Sequence, residues 1–127
     1  MQQKWLKLNL YNMKEYVIDA TNKKLGRVAS EAAVVLMGKD SPEYQPNKYP
    51  NIRVKITNTS KAAITEKKKG EKTYTRYTGY PGGLRERKME QEIEKHGYSK
   101  LFEKAVYGML PGNRLRSRMM LNLVISE

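Results

Sequence analysis

The sequence predicts an α/β domain built on a mostly parallel sheet of about four strands, with helices covering the sheet. Three observations carry that expectation. A β-rich run at residues 16–19 is followed by a strongly amphipathic helix pattern and then by an alternating strand at 52–56, the order of a strand–helix–strand crossover. A second helical stripe occupies residues 101–110. An apolar β run closes the chain at 121–125. Residues 16–127 read as one domain, preceded by an extension over residues 1–15.

In the extension, Leu6, Leu8 and Leu10 alternate with polar neighbours, which fits a short strand or a segment that orders on a partner. Tyr16, Val17 and Ile18 favour extended backbone, and strand one is expected there. Ala20, Thr21 and Asn22 then offer cap residues. Leu25, Val28, Ala29, Ala32, Ala33 and Leu36 recur at i, i+3, i+4, i+7, i+8 and i+11, the stripe of a helix over residues 24–37 that faces the sheet. Gly38 and Pro42 end it. Residues 39–51 hold Pro42, Pro46 and Pro50 with Tyr44 and Tyr49, an extended loop pinned by aromatics. Ile52, Val54 and Ile56 alternate with Arg53 and Lys55, a strand with one buried face. A right-handed crossover makes it parallel to strand one.

Asn58, Thr59 and Ser60 break that strand. Residues 61–65 are a weaker strand candidate, and residues 66–72 a polar turn. Residues 73–77 again favour a strand. From Arg85 to His96 only Met89 and Ile93 are apolar, at i and i+4, which predicts a surface helix closed by Gly97. Its acids, Glu86, Glu90, Glu92 and Glu94, are expected in solvent. Leu101, Phe102, Ala105, Val106, Met109 and Leu110 predict a buried helix, broken by Pro111, Gly112 and Asn113.

Charge narrows the function. The 127 residues carry 25 Lys and Arg against 13 Asp and Glu, a net charge of +12. Self-repulsion on that scale calls for a polyanionic partner. Nucleic acid ranks ahead of an acidic membrane, because the cations are scattered through turns and loops rather than gathered on one helix face. No apolar run approaches the roughly 18 residues of a membrane span. Lys4, Lys7, Lys14 and Glu15 interrupt the start, so no signal peptide is expected. Cysteine is absent and His96 is the only histidine, which excludes disulfide scaffolds, thiol catalysis and Cys-ligated metal, and leaves almost no route to a His-based site. Glu86, Glu90 and Glu94 share a helical face, yet no base or metal cluster completes a catalytic site. No cofactor, metal, membrane or small-molecule substrate is expected.

Three constellations carry chemistry. The first is the 78–83 loop, with Gly79, Gly82 and Gly83 between Arg76, Tyr77 and the cations Arg85, Arg87 and Lys88. Glycines admit φ > 0 and close approach of a phosphate to the amides; an ordinary glycine turn is the plainer reading. No Gly-Lys-Ser/Thr follows, and the glycines do not open a helix after strand one, so the loop fits neither nucleotide fingerprint. The second is Arg114, Arg116 and Arg118, whose forks suit phosphate oxygens or form a solvated face. The third is the set Tyr44, Tyr49, Tyr74, Tyr77 and Tyr80 in or beside basic loops, suited to stacking on unpaired bases or to packing with the hydroxyl outward. Lys67, Lys68 and Lys69 add a flexible basic tip.

These residues resemble a known family. Tyr16-Val17-Ile18-Asp19-Ala20 and Leu25-Gly26-Arg27 with Ala29 are similar to the opening of the L-thirteen family of large-subunit ribosomal proteins. The likeness continues at Gly38-Lys39, Tyr44-Gln45-Pro46, Asn58 with Lys61, Tyr74, Thr78-Gly79 with Gly82-Gly83, and Ala105-Val106 with Gly108-Met109-Leu110-Pro111, then at Leu115 and Met119. It covers about residues 16–125. The chain departs from the family pattern at Arg76 and Tyr77, where histidines are frequent, and at Asn51, Tyr107, Arg116, Leu121 and Asn122. The resemblance implies a compact α/β fold with helices on both faces of the sheet. It also implies a non-catalytic constituent of the large subunit that binds ribosomal RNA, touches neighbouring ribosomal proteins and supports assembly, in the cytoplasm or in an organellar ribosome. A free-standing regulatory RNA-binding module and a nucleic-acid enzyme are the competing classes. Resemblance and charge together select Lys24, Arg27, Lys39, Lys48, Lys67, Lys68, Lys69, Arg76, Tyr77, Thr78, Gly79, Gly82, Gly83, Arg85, Arg87, Lys88, Arg114, Arg116 and Arg118 as candidate RNA contacts.

Overall fold

The computed structural model describes residues 14–48 and 50–127. The alternating leucines of residues 6–10 and the aromatic Tyr49 lie outside the described residues. Strand β1 (Lys14–Asp19) leads into helix α1 (Leu25–Met37) and then strand β2 (Ile52–Thr57). A 3₁₀ turn (Thr59–Lys61) and a short helix α2 (Glu66–Glu71) precede an antiparallel pair, β3 (Thr73–Tyr77) and β4 (Leu84–Lys88). Helices α3 (Met89–His96), α4 (Tyr98–Met109) and α5 (Leu115–Leu121) follow, and β5 (Leu123–Ile125) ends the fold.

The α/β class and the parallel crossover stand as expected. β2 is central, with β1 and β5 parallel to it on either side; Ile18 lies opposite Ile56 and Ile56 opposite Ile125. β3 and β4 form a separate two-stranded sheet. Side chains alternate between the faces of a strand, and Ile18, Val54 and Ile56 therefore enter one core with Leu25, Val28, Ala32, Leu36, Leu101, Phe102 and Val106. The opposite face carries Val17, Lys55 and Val124 side by side. Val17 on the edge strand is 59% exposed.

Five local expectations are corrected. Ala20–Asn22 do not cap α1; Lys24 occupies that position without a side-chain hydrogen bond. Instead Asp19 Oδ1 accepts from Thr21 N (2.9 Å), Thr21 Oγ1 (2.7 Å) and Asn58 Nδ2 (3.1 Å) and closes the turn. Residues 61–65 join no strand ladder; Ala63 N donates to Lys23 O, which ties the segment to the start of α1. Residues 66–71 form a helix because Thr65 caps it, its Oγ1 accepting from Lys68 N at 3.3 Å. Residues 84–88 are strand, and the helix begins only at Met89. Leu121 ends α5 rather than opening β5 and is 83% exposed.

Helix α1 stops where expected. Gly38 adopts φ 82°, and its N–H reaches the carbonyls of Val34 and Val35. A Cβ at this position would also sit 3.3 Å from Pro50 Cγ, so the glycine lets the loop pack back on the helix end.

Candidate nucleic-acid interface

The β3–β4 hairpin gathers the largest share of the selected residues. Its register pairs Tyr74 with Arg87, Arg76 with Arg85, and Tyr77 with Leu84. Strand alternation separates two faces. One holds Tyr74, Arg76, Arg85 and Arg87; the other holds Thr73, Thr75, Tyr77, Leu84, Glu86 and Lys88. Residues 78–83 close the hairpin. Thr78 N donates to Gly83 O (3.1 Å) and Gly83 N to Tyr80 O (2.9 Å). Gly79 and Gly82 sit at φ 92° and 73°, a region other residues adopt at a cost. Gly83 is buried, and a Cβ there would collide with Thr78 Oγ1 and lie 2.9 Å from the Tyr80 carbonyl oxygen. Its amide serves the turn, which leaves Gly79 and Gly82 as the loop glycines open to a ligand.

The root of the hairpin is fixed by a buried carboxylate. Glu92, expected in solvent, is buried on α3 with a side-chain exposure of 6%. Position 92 lies three residues after Met89, on the inner stripe of the helix, and that spacing was the available signal. Its Oε1 accepts from Arg87 Nη1 (3.2 Å) and pairs with Lys104 Nζ (3.3 Å). Lys104 also lies 4.5 Å from the centroid of the Tyr74 ring. Burial pushes the Glu92 carboxyl up, but the Lys104 hydrogen bond and the charges of Lys104, Arg87 and His96 outweigh it, and the group sits below its ordinary value. Burial, with a smaller contribution from the Glu92 charge, raises the Tyr74 hydroxyl.

The remaining selected residues divide by engagement. Arg87 is held by Glu92, whereas Arg76 and Arg85 are exposed and have no acidic partner among the described residues. Lys88 is exposed; its backbone N–H is capped by Gln91 Oε1 at 3.1 Å. Lys69 is bound to Glu66 Oε1 and to the Tyr98 hydroxyl, both at 3.3 Å, while Lys67 and Lys68 point to solvent. The Tyr98 contact is the main reason the Lys69 ammonium is raised. Met89 N donates to Lys72 O (2.8 Å), which joins the lysine helix to the end of the hairpin.

Arg114 is exposed just before α5, and Arg116 and Arg118 lie on that helix. Arg116 is stacked on Tyr107 of α4, 3.9 Å from the ring centroid, a partner that sequence spacing did not reveal. Lys24 and Arg27 lie at one end of α1 and Lys39 and Lys48 beyond the other, all exposed. A 13-residue helix separates them by about 20 Å, so they do not form one patch. Among the described residues no group of acidic or histidine side chains could hold a metal, and no helix is long and apolar enough to cross a membrane.

Comparison with known proteins gives the family. A family model described as Ribosomal protein L13 matches residues 13–126. The chain is 44% identical over 111 residues to the large ribosomal subunit protein uL13 of Pelotomaculum thermopropionicum, covering 87% of this chain and 76% of the relative. It is 46% identical over 112 residues to the protein of that name from Caldicellulosiruptor saccharolyticus, covering 88% and 78%. Against the Desulfitobacterium hafniense protein of that name it is 42% identical over 122 residues, covering 94% and 82%. The chain belongs to the ribosomal protein L13 family, and a non-catalytic role agrees with that membership.

Proposed function

We propose that this family member is a structural constituent of the large ribosomal subunit. It binds large-subunit ribosomal RNA through phosphate contacts, meets neighbouring large-subunit proteins and supports subunit assembly. The observation that carries the RNA reading is the hairpin. Arg76 and Arg85 stand directly opposite one another without an acid, in a chain of net charge +12. Like charges placed in register destabilise a strand pair. A bound phosphate turns that repulsion into two charge-assisted contacts. Arg114 and the exposed Lys67 and Lys68 supply further cations on separate elements.

Two measurements test this. The protein should co-sediment with the large subunit after a high-salt wash; a protein recovered free of it would favour a free-standing regulatory module. Its affinity for large-subunit ribosomal RNA should fall with salt at a slope of roughly −4 to −5 in log–log form if about six phosphates are neutralised. A slope near zero would exclude phosphate-dominated binding.

A further inference from the structure

The tip of the hairpin is two-faced in a way that phosphate binding alone does not use. On one face lie Arg76 and Arg85. On the other, Tyr77 is paired with Leu84, and they are 63% and 59% exposed. Tyr80, in the connecting loop, is 76% exposed. Three large apolar side chains standing in water within eight residues are out of place on a surface otherwise dominated by charge. Tyr74, on the hairpin's arginine face, is used differently: it is half-buried under Lys104.

We propose that the hairpin tip binds unpaired nucleotides of RNA, with phosphate held between Arg76 and Arg85 on one face and bases stacked on Tyr77 of the other face and on Tyr80 of the connecting loop. The inference rests on the RNA-binding reading above and adds the kind of RNA. Residues directly opposite in an antiparallel pair are about 4.5–5.5 Å apart, so the two arginine side chains can converge on a single phosphate group. A flexible single strand can present its phosphate to one edge of the hairpin and its bases to the other, whereas a duplex keeps its bases stacked inside. Charge favours RNA over a protein as occupant: from 76 to 88 the chain carries Arg76, Arg85, Arg87 and Lys88 against the single acid Glu86. The aromatic type favours it too, because each base offers a π-face whatever its sequence.

The test uses the full chain with two probes, a 12-nucleotide oligoadenylate and an RNA duplex of about 12 base pairs, lengths within a typical single-strand site. Tyr77→Ala and Tyr80→Ala should each weaken oligoadenylate binding at least about fivefold, while Tyr77→Phe and Tyr80→Phe stay within about twofold of the native protein. Duplex binding should be unchanged in all four. Arg76→Gln combined with Arg85→Gln should reduce the salt slope on the single strand by about 0.7 for one shared phosphate. The exposed positions make unfolding avoidable, and thermal melting of each variant checks it. Alanine variants that bind oligoadenylate like the native protein, or that lose affinity for duplex equally, would overturn the inference and point to a protein neighbour on that face. Native protein that binds large-subunit ribosomal RNA but not oligoadenylate would overturn it as well, leaving the ribosomal reading in place.

Discussion

The parallel sheet and the antiparallel hairpin are made of similar strands but held by different physics. In β1, β2 and β5, one face enters a core in which Val54, Ile56, Leu101, Phe102 and Val106 are fully buried. In β3 and β4, no residue is buried, and only Tyr74 and Arg87 are partly covered. The hairpin is anchored at its root by Met89, which is fully buried, and by the carboxylate of Glu92 between Arg87 and Lys104. A region anchored through a few residues at one end leaves the rest of its side chains for a ligand. A region anchored through alternate residues along its length does not.

The largest test of this contrast is in the core. Phe102→Ala should lower stability by about 3–5 kcal/mol, read from denaturant midpoints, because the surrounding helices cannot close the space. A loss below about 1 kcal/mol would show that the core is not the principal support.

At the hairpin root, Glu92→Ala should cost less, about 1–3 kcal/mol, since Arg87 and Lys104 keep access to water once the carboxylate is gone. Hydrogen exchange should rise in β3 and β4 more than in β1 and β2. The folded Glu92 carboxyl lies below its ordinary value of 4.5. Its contribution is therefore complete above that pH and is lost as pH falls below it. An acid titration in which Glu92→Gln tracks the native protein would contradict this.

Gly83→Ala addresses the turn alone. The added methyl meets Thr78 Oγ1 and the Tyr80 carbonyl, and the hairpin closure must open to admit it. A stability loss of about 1–2 kcal/mol is expected, with weaker binding to ribosomal RNA although no charge is removed. Unchanged binding would mean that the shape of the loop is immaterial to the partner.

The smallest effect belongs to the exposed end of β1. Hydrogen bonds from the Thr21 hydroxyl and amide and from Asn58 lower the Asp19 carboxyl from 3.8 to about 2. The stability it adds is full above 3.8 and disappears as pH falls towards 2. Melting of Asp19→Asn against the native protein across that interval should converge at the acid end.

How much was legible differs between the two regions for a physical reason. Helix α1 was readable because six apolar side chains recur at helical spacing and all are buried, and β2 because Val54 and Ile56 alternate with charges. Period reports burial, so elements that bury one face announce themselves. Residues 84–88 contain no buried residue and carry four charges, so they have no period to read; their strand state comes from pairing with β3 across the hairpin loop. The Lys67–Lys69 segment also buries no residue and shows no period; there the hydroxyl cap from Thr65 sets the helix start.

By itself, then, the sequence determined the α/β class, the parallel crossover, the net charge of +12 and the family, since these follow from composition, local periodicity and motif order. Only the tertiary structure decided which charges are engaged. Glu92, Arg87, Lys69 and Arg116 are drawn into internal contacts, while Arg76, Arg85, Tyr77 and Tyr80 are left facing outward. A charged side chain has the same composition in either state. Lys104 for Glu92, Tyr98 for Lys69 and Tyr107 for Arg116 come from another helix, and no local pattern encodes those choices.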